Sequence, residues 1–455
     1  MAKSGEVTGT HRPDLWARRG LGALLIGTLG VLAACDEREI ILPGKREDPR
    51  SVLQTEALET EDLSNRNVPI SLPKPVVNAN WLQRSGTPST RVTHPALSSA
   101  LQLAWAAPIG AGDGRRNRIT ADPVVSDSRI FTLDAEATVT ATSTAGQTLW
   151  QRDLVPAREN ARDASGGGLA MGEGKLFVTS GFGLLSALDP VSGAVLWQQD
   201  LDTPANSTPT YYKGVVYLVA GDATATAVAA DNGRVLWQLP SATRLNGVLG
   251  GAAPALTDDY AIFPHSSGEI VAAFRRGGVQ RWQSFVAGRR DGIARANLAE
   301  VTGDPVVVGD TIYVGTHSGR LSALSLGNGD ILWTAPEGPL SAPVVIGGSL
   351  FIVSDRNEVL RLDAKTGARI WGVELPFFVK DRPKQQKNVF THYGPIVAGG
   401  QVIVASNDGV LRVFDPRSGA LTRSIEVPGG ATVNPVVAGG TLYVVSSKGQ
   451  LLAYR

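Results

Sequence analysis

The sequence predicts an all-β protein: an eight-bladed β-propeller of four-stranded antiparallel blades, closed by pairing an N-terminal strand with the C-terminal blade. Three observations lead there. A unit of four β-rich runs, separated by Gly and Asn/Asp turns, recurs along the chain. A Trp ends the fourth run in most copies. The last copy lacks its fourth run, while an unpartnered run of that kind stands far upstream.

The unit is clearest in residues 304–316, 319–324 and 329–333, where three β-rich runs and a short fourth one make a meander. Related units begin near Pro123, Gly168, Pro209, Pro254, Pro305, Pro343, Pro395 and Pro435, which sets eight blades. The fourth run ends in Trp150, Trp197, Trp237, Trp282, Trp333 or Trp371, whereas the seventh unit has Arg423-Ser424-Ile425 there. The eighth unit stops at residues 451–455, and residues 101–105, ending in Trp105, have the pattern of its missing strand. Borrowing that strand closes the ring and removes the exposed edges of an open array. Each Trp is expected to pack against the neighbouring blade with its N–H bonded to backbone. Gly193, Gly233 and Gly367, in the turns before the fourth run, are expected to supply a positive φ.

Hydrophobic residues at 43% and charged residues at 19%, with 52 Gly and 27 Pro, suit a turn-rich globular β-protein rather than a disordered chain. A net charge of +1 gives no basic field, so nucleic acid is excluded as a partner class. The single cysteine, Cys35, can form neither an internal disulfide nor a cysteine-based zinc site.

Its position explains it. Arg12, Arg18 and Arg19 precede an apolar run over residues 21–34 that is short for a bilayer span and fits a secretory signal. The run ends in Leu32-Ala33-Ala34-Cys35, which resembles the lipobox of bacterial lipoproteins, where the Cys thiol is acylated and becomes the first mature residue. Several acyl chains on one residue give stable anchoring, at roughly 0.8 kcal/mol per buried methylene. The expected organisation is a signal peptide over 1–34, a lipidated Cys35 with a flexible tether over 35–94, and the propeller over 95–455. The tether is rich in charge, Pro and Ser, and its part around Trp81 has packing on the domain as its alternative.

The turns over residues 187–197 and 362–371, Ala-Leu-Asp-Pro-Val-Ser-Gly-Ala-Val-Leu-Trp and Leu-Asp-Ala-Lys-Thr-Gly-Ala-Arg-Ile-Trp, resemble the tryptophan-docking repeat of the pyrroloquinoline-quinone (PQQ) dehydrogenase-like propellers. The resemblance covers about residues 101–455. That family holds both quinoprotein dehydrogenases and the non-catalytic lipoproteins of the outer-membrane β-barrel assembly machinery, and fold alone does not separate them. The lipobox, the tether, a mature chain little larger than the propeller and the segment 301–324 are similar to the assembly lipoproteins. The dehydrogenases typically carry a vicinal disulfide and a calcium ion ringed by oxygens, and this sequence has one Cys and no insertion with such a cluster. The expectation is therefore a protein that is not an enzyme and carries no cofactor and no metal. A PQQ-dependent periplasmic dehydrogenase, or an adaptor of another cell-envelope complex, stays as the alternative.

Nothing in the residues argues for catalysis. His265 and His317 fall at nearly equivalent turns of adjacent blades and are expected as exposed turn residues, and His94 and His392 have no evident partner. Gly166-Gly167-Gly168 and Gly250-Gly251 precede no helix, so they are expected where backbones approach closely rather than as phosphate cradles.

The connection from one blade to the next lies on the same face as the turn between second and third strands. The long connections 151–165, 239–251, 283–303 and 372–393 therefore mark one face as the partner surface. They carry basic and aromatic groups, among them Arg158, Arg244, Arg289, Phe377, Phe378 and Lys380. The resemblance implies docking on BamA, the central barrel protein of the machinery, through connections of two adjacent blades. The matching residues here are Leu245, Val248, Leu249, Glu300 and Thr302, with Leu249 and Thr302 departing from the family's Arg and Asp. It further implies unfolded outer-membrane proteins as clients and an outer-membrane anchor facing the periplasm. Asp36, next to the lipidated Cys, keeps inner-membrane retention open.

Overall fold

The computed structural model of the protein describes residues 64–455 except 164, 205–206, 243–249, 287, 289–299 and 381. Among the described residues, eight four-stranded antiparallel sheets follow one another along the chain. Blade 1 consists of Val124–Ser126, Arg129–Leu133, Thr138–Ser143 and Thr148–Asp153, and blades 2 to 7 repeat that order. The second and third strands are apolar and buried because neighbouring blades cover both of their faces, as in Lys175–Ser180 and Leu184–Leu188. Fourth strands face solvent along the outside and alternate in exposure, as Val195–Asp200 does. The core thus lies between blades: Phe131 and Val139 of blade 1 pack with Leu169, Leu176 and Val178 of blade 2.

Blade 8 has Val436–Ala438, Thr441–Ser446 and Gln450–Tyr454, and its fourth strand is Leu103–Pro108 from the other end of the propeller sequence. The pairing is antiparallel, from Leu103 opposite Tyr454 to Pro108 opposite Gln450. The ring closes as the sequence predicts.

Each docking Trp reaches into the next blade. The indole N–H of Trp150 donates to Pro190 O (3.1 Å), that of Trp197 to Ala230 O (3.2 Å) and that of Trp371 to Pro416 O (3.1 Å). Its ring lies over the glycine of the turn between third and fourth strands. A Cβ on Gly193 would come within 2.6 Å of Trp150, and one on Gly367 within 2.6 Å of Trp333. These glycines also hold φ of +71° and +75°, so both backbone conformation and close approach require them. Where an Asp opens the turn, as Asp189, Asp363 and Asp415 do, it fixes it locally: Asp189 Oδ1 accepts from Val191 N (3.0 Å) and Ser192 N (2.6 Å). Trp105 makes the same contact across the closure, donating to Thr144 O (3.1 Å).

Residues 64–94 depart from the expected flexible tether and pack on the blades, as the alternative reading around Trp81 allows. This segment is a strap that reaches all eight blades. Trp81 is 1% exposed and exchanges backbone bonds of 2.8 Å with Val125 of blade 1. Met171 N donates to Leu82 O, Leu256 N to Pro88 O and Val307 N to Ser89 O, which adds blades 2, 4 and 5. Gln83 pairs with the backbone of Tyr211 in blade 3, Asn78 reaches Val437 O in blade 8, and Arg91 donates to Pro395 O in blade 7. In blade 6, Arg361 donates to Pro69 O (3.1 Å). The physical reason is that the strap's polar backbone finds partners at the exposed ends of the inner strands while Trp81, Arg84 and Arg91 bury. Cys35 and the rest of the expected tether lie outside the described residues.

Candidate functional site

The strap closes the propeller axis on the side of the turns between first and second strands. What remains is a blind cavity of about 1210 Å³ that opens on the opposite face, where the long connections lie. Its walls are the turns between second and third strands, including His317, Asp355, Asn407 and Lys448, and the blade connections at Gly250, Glu300 and Thr302. Long connections and these turns share one face, as the sequence implies.

The floor is ionic. Arg84 Nε lies 3.1 Å from Asp304 Oδ2 and 3.5 Å from Asp122 Oδ2, with both carboxylates nearly inaccessible. Its Nη1 donates to Thr208 Oγ1 (3.2 Å) and to Gly250 O and Gly251 O. Asp122 also accepts from Asn434 N and Nδ2, both at 2.9 Å, and Asp304 accepts from Ala253 N (2.8 Å). Burial works against the charge on Arg84, and Asp304 and Asp122 outweigh it, so its pKa lies above the ordinary value. Burial pushes Asp122 up despite Arg84 and Asn434. Two carboxylates facing one axis are a feature a hard cation would need, but here they converge on a guanidinium supplied by the chain itself. The residues present therefore do not fit a calcium-bound quinone on this floor. Among the described residues, no group of three or more His, Cys, Asp or Glu is arranged to hold a metal ion.

The expected docking residues divide. Leu245, Val248 and Leu249 lie outside the described residues, as does Cys35. Glu300 is only 6% exposed, and its backbone carbonyl accepts from His317 N (3.1 Å). Thr302, in the strand Val301–Val308, donates its hydroxyl to Pro339 O (2.9 Å). Both line the mouth of the cavity rather than a projecting loop tip.

The histidines also differ from expectation. His265 is not an exposed turn residue: it is 1% exposed, neither ring nitrogen has a hydrogen-bond partner among the described residues, and burial lowers its pKa to about 4. His317 is half-buried in the cavity wall. His94 Nε2 accepts from Gly400 N (2.8 Å), and His392 bridges Ser406 Oγ and Pro376 O. The run at Gly167-Gly168 behaves as expected, since a Cβ on Gly167 would meet Thr179 O at 2.1 Å and one on Gly168 would meet Thr208 Oγ1 at 2.5 Å, whereas one on Gly251 would make only ordinary contact, 3.6 Å from Ser207 Cα.

The family model described as outer membrane protein assembly factor BamB matches residues 135–373 and 379–455. The chain belongs to the BamB family. Relatives of the same description include those of Shewanella oneidensis, 26% identical over 364 residues covering 77% of this chain and 88% of that one, and of Yersinia pestis, 26% identical over 360 residues with 77% and 88% covered. Among solved structures, BamB from Moraxella catarrhalis superposes with a TM-score of 0.64 at 18% identity, covering 78% of this chain and all of that one. A quinohemoprotein alcohol dehydrogenase from Comamonas testosteroni gives 0.60 at 15% identity, with 83% and 80% covered. At such identities the structural likeness establishes the shared propeller, and the BamB assignment rests on the sequence match.

Proposed function

We propose that the protein is a non-catalytic scaffold lipoprotein of the outer-membrane β-barrel assembly machinery. Anchored through Cys35 to the outer membrane and facing the periplasm, it docks on BamA and assists the folding and insertion of outer-membrane proteins. The observation that carries this reading is the BamB family match over nearly the whole propeller. The ionic floor adds support, because Arg84 takes up the carboxylates that a dehydrogenase would direct at a cation.

The docking surface is the rim formed by the connections 239–251 and 283–303. Apolar Leu245, Val248 and Leu249 supply the buried contact, and Glu300 and Thr302 supply polar edges. The test is a crosslinked pull-down of the lipidated protein from its own membranes, with partners identified by mass spectrometry. Recovery of BamA is expected, and its loss on combining Leu249→Lys with Glu300→Lys supports the rim. Co-purification unchanged by those substitutions counts against the rim. Absence of BamA alongside another enriched complex transfers the role to that complex. Fractionation of inner from outer membranes decides what Asp36 does.

A further inference from the structure

The cavity mouth is electrically one-sided. Its carboxylates face inward: Asp113 accepts from Ile119 N (2.9 Å) and Thr432 Oγ1 (2.8 Å), Asp122 is held by Asn434 and Arg84, Asp355 accepts from Gly338 N (2.9 Å), and Glu300 is buried. Its accessible cations are Lys387, Lys448 and Arg118, the last also paired with Asp113 (3.5 Å), all on the walls contributed by blades 7, 8 and 1. Arg115 and Arg116 extend this sector on the segment before blade 1, and both are exposed.

The largest cationic element is a flap between blades 6 and 7, residues 376–391. Its two arms pair through Val379 N to Asn388 O (3.0 Å) and Phe390 N to Phe377 O (2.8 Å). Its base is fixed by Asn357, which donates to Pro376 O (3.1 Å) and Phe390 O (3.0 Å), and by His392 on Pro376 O (2.9 Å). From this rigid base Lys380, Arg382, Lys384 and Lys387 extend exposed, and the flap's sequence holds one acid, Asp381. Valines stand beside these cations: Val379 is 46% and Val389 38% exposed. Across the same face, blades 1 to 3 surround a separate concavity of about 430 Å³ with Glu159, Asp163, Asp200 and Asp202.

We propose that the basic sector, from the flap across blade 8 to the segment before blade 1, binds an acidic, extended protein segment that runs into the cavity mouth. The exposed cations match acidic side chains, and the exposed valines match apolar ones between them. The concavity near blades 1 to 3 sets four carboxylates beside the exposed Arg158 and Arg162, so it offers such a segment less net positive charge than the flap does. The cavity exceeds the roughly 300–1,000 Å³ of small-molecule sites, which suits a stretch of polypeptide. This deepens the scaffold reading, on which it rests, by adding a second contact on its partner face: the flap and blade 8 lie away from the rim assigned to BamA, and the two surfaces meet only at the cavity mouth, where Glu300 and Thr302 stand.

The probe is a short fluorescein-labelled peptide of alternating Glu and Val, titrated with the full lipidated chain in detergent and read by fluorescence anisotropy. Saturable binding is expected, weakened by salt and weakened about tenfold or more by combining Lys380→Glu, Arg382→Glu and Lys387→Glu. Lys448→Glu is an independent variant, weakening binding less, and a Lys-Val peptide is expected not to bind. Asp200→Lys with Asp202→Lys leaves affinity unchanged or raises it. No binding of the Glu-Val peptide overturns the proposal, as does equal binding by the flap and Lys448 variants. So does binding of phosphatidylglycerol vesicles without the peptide, which assigns the surface to lipid. Because BamA is absent, this result is separable from that of the pull-down.

Discussion

His265 gives a measurement in which the folded structure sets both sign and size. The side chain is buried, with no hydrogen-bond partner among the described residues at either ring nitrogen, and its pKa is lowered from 6.5 to about 4 by burial. The unfolded chain therefore binds a proton that the native one does not between those values, so stability is full above pH 6.5 and is lost as pH falls toward 4. At about pH 4.5 this group alone costs about 2.5 kcal/mol relative to neutral pH, from 1.36 kcal/mol per pKa unit. His265→Leu removes the titration and replaces two unsatisfied nitrogens by an apolar side chain of similar bulk. Urea unfolding of wild type and variant, at about pH 7 and about pH 4.5, is the assay. The variant is expected to be the more stable at neutral pH, with its advantage growing by about 2.5 kcal/mol at the lower pH. An advantage equal at both pH values would falsify the reasoning, since other titrating groups are common to the two proteins.

Arg84→Met leaves Asp122 and Asp304 facing each other without their cation, and unfolding should show a loss of about 3–5 kcal/mol. Adding Asp122→Asn and Asp304→Asn to that variant should recover much of it; no recovery would place the role of Arg84 in its packing alone. Gly367→Val puts a β-branched side chain at φ +75° with its Cβ 2.6 Å from Trp333, and a loss of about 2–5 kcal/mol is expected from strain and overpacking together. Gly348→Ala, at φ +72° with nothing within 4 Å of the added atom, should cost only the strain, about 1–2 kcal/mol. Equal losses at the two glycines would argue against the Trp docking contact.

The blade count and the closure were legible because every blade repeats the same requirements. A Trp must end one fourth strand and a glycine must receive it in the next turn, so the pair recurs at a fixed period. The exception in blade 7 follows from the same rule. Its fourth strand carries Arg423, and the receiving turn would lie between the third and fourth strands of blade 8. Those strands, Gln450–Tyr454 and Leu103–Pro108, are joined by no turn, so there is no glycine for a Trp to cover, and Arg423 instead reaches the backbone of Ser99. His265 was misread because a turn between second and third strands is ordinarily exposed. Here neighbouring chain folds against it, with Val286 N bonded to Gly268 O (2.9 Å) and Val301 N approaching His265 O (3.5 Å).

The strap was legible only as an alternative around Trp81, for the opposite reason: its contacts differ from blade to blade, so it has no period and its Pro-rich, charged composition reads as linker. Yet it determines which face can act. It begins on the outer strand of blade 6, where Arg66 N donates to Ile370 O (2.8 Å), and runs inward until Arg84 stands on the axis. A propeller with both ends of its channel open offers two faces of similar standing; with one end filled, the cavity and its exposed cations all belong to the long-connection face. The flap at 376–391 and the described ends of the connections 239–251 and 283–303, at Gly250 and Glu300, lie on that same face, so contacts with different partners there compete or cooperate through proximity alone. Loss of the Arg84 plug should therefore be felt both in the cavity floor and at the base of the connection 239–251, because Arg84 itself holds Gly250 O and Gly251 O while it pairs with Asp304 beside blade 5.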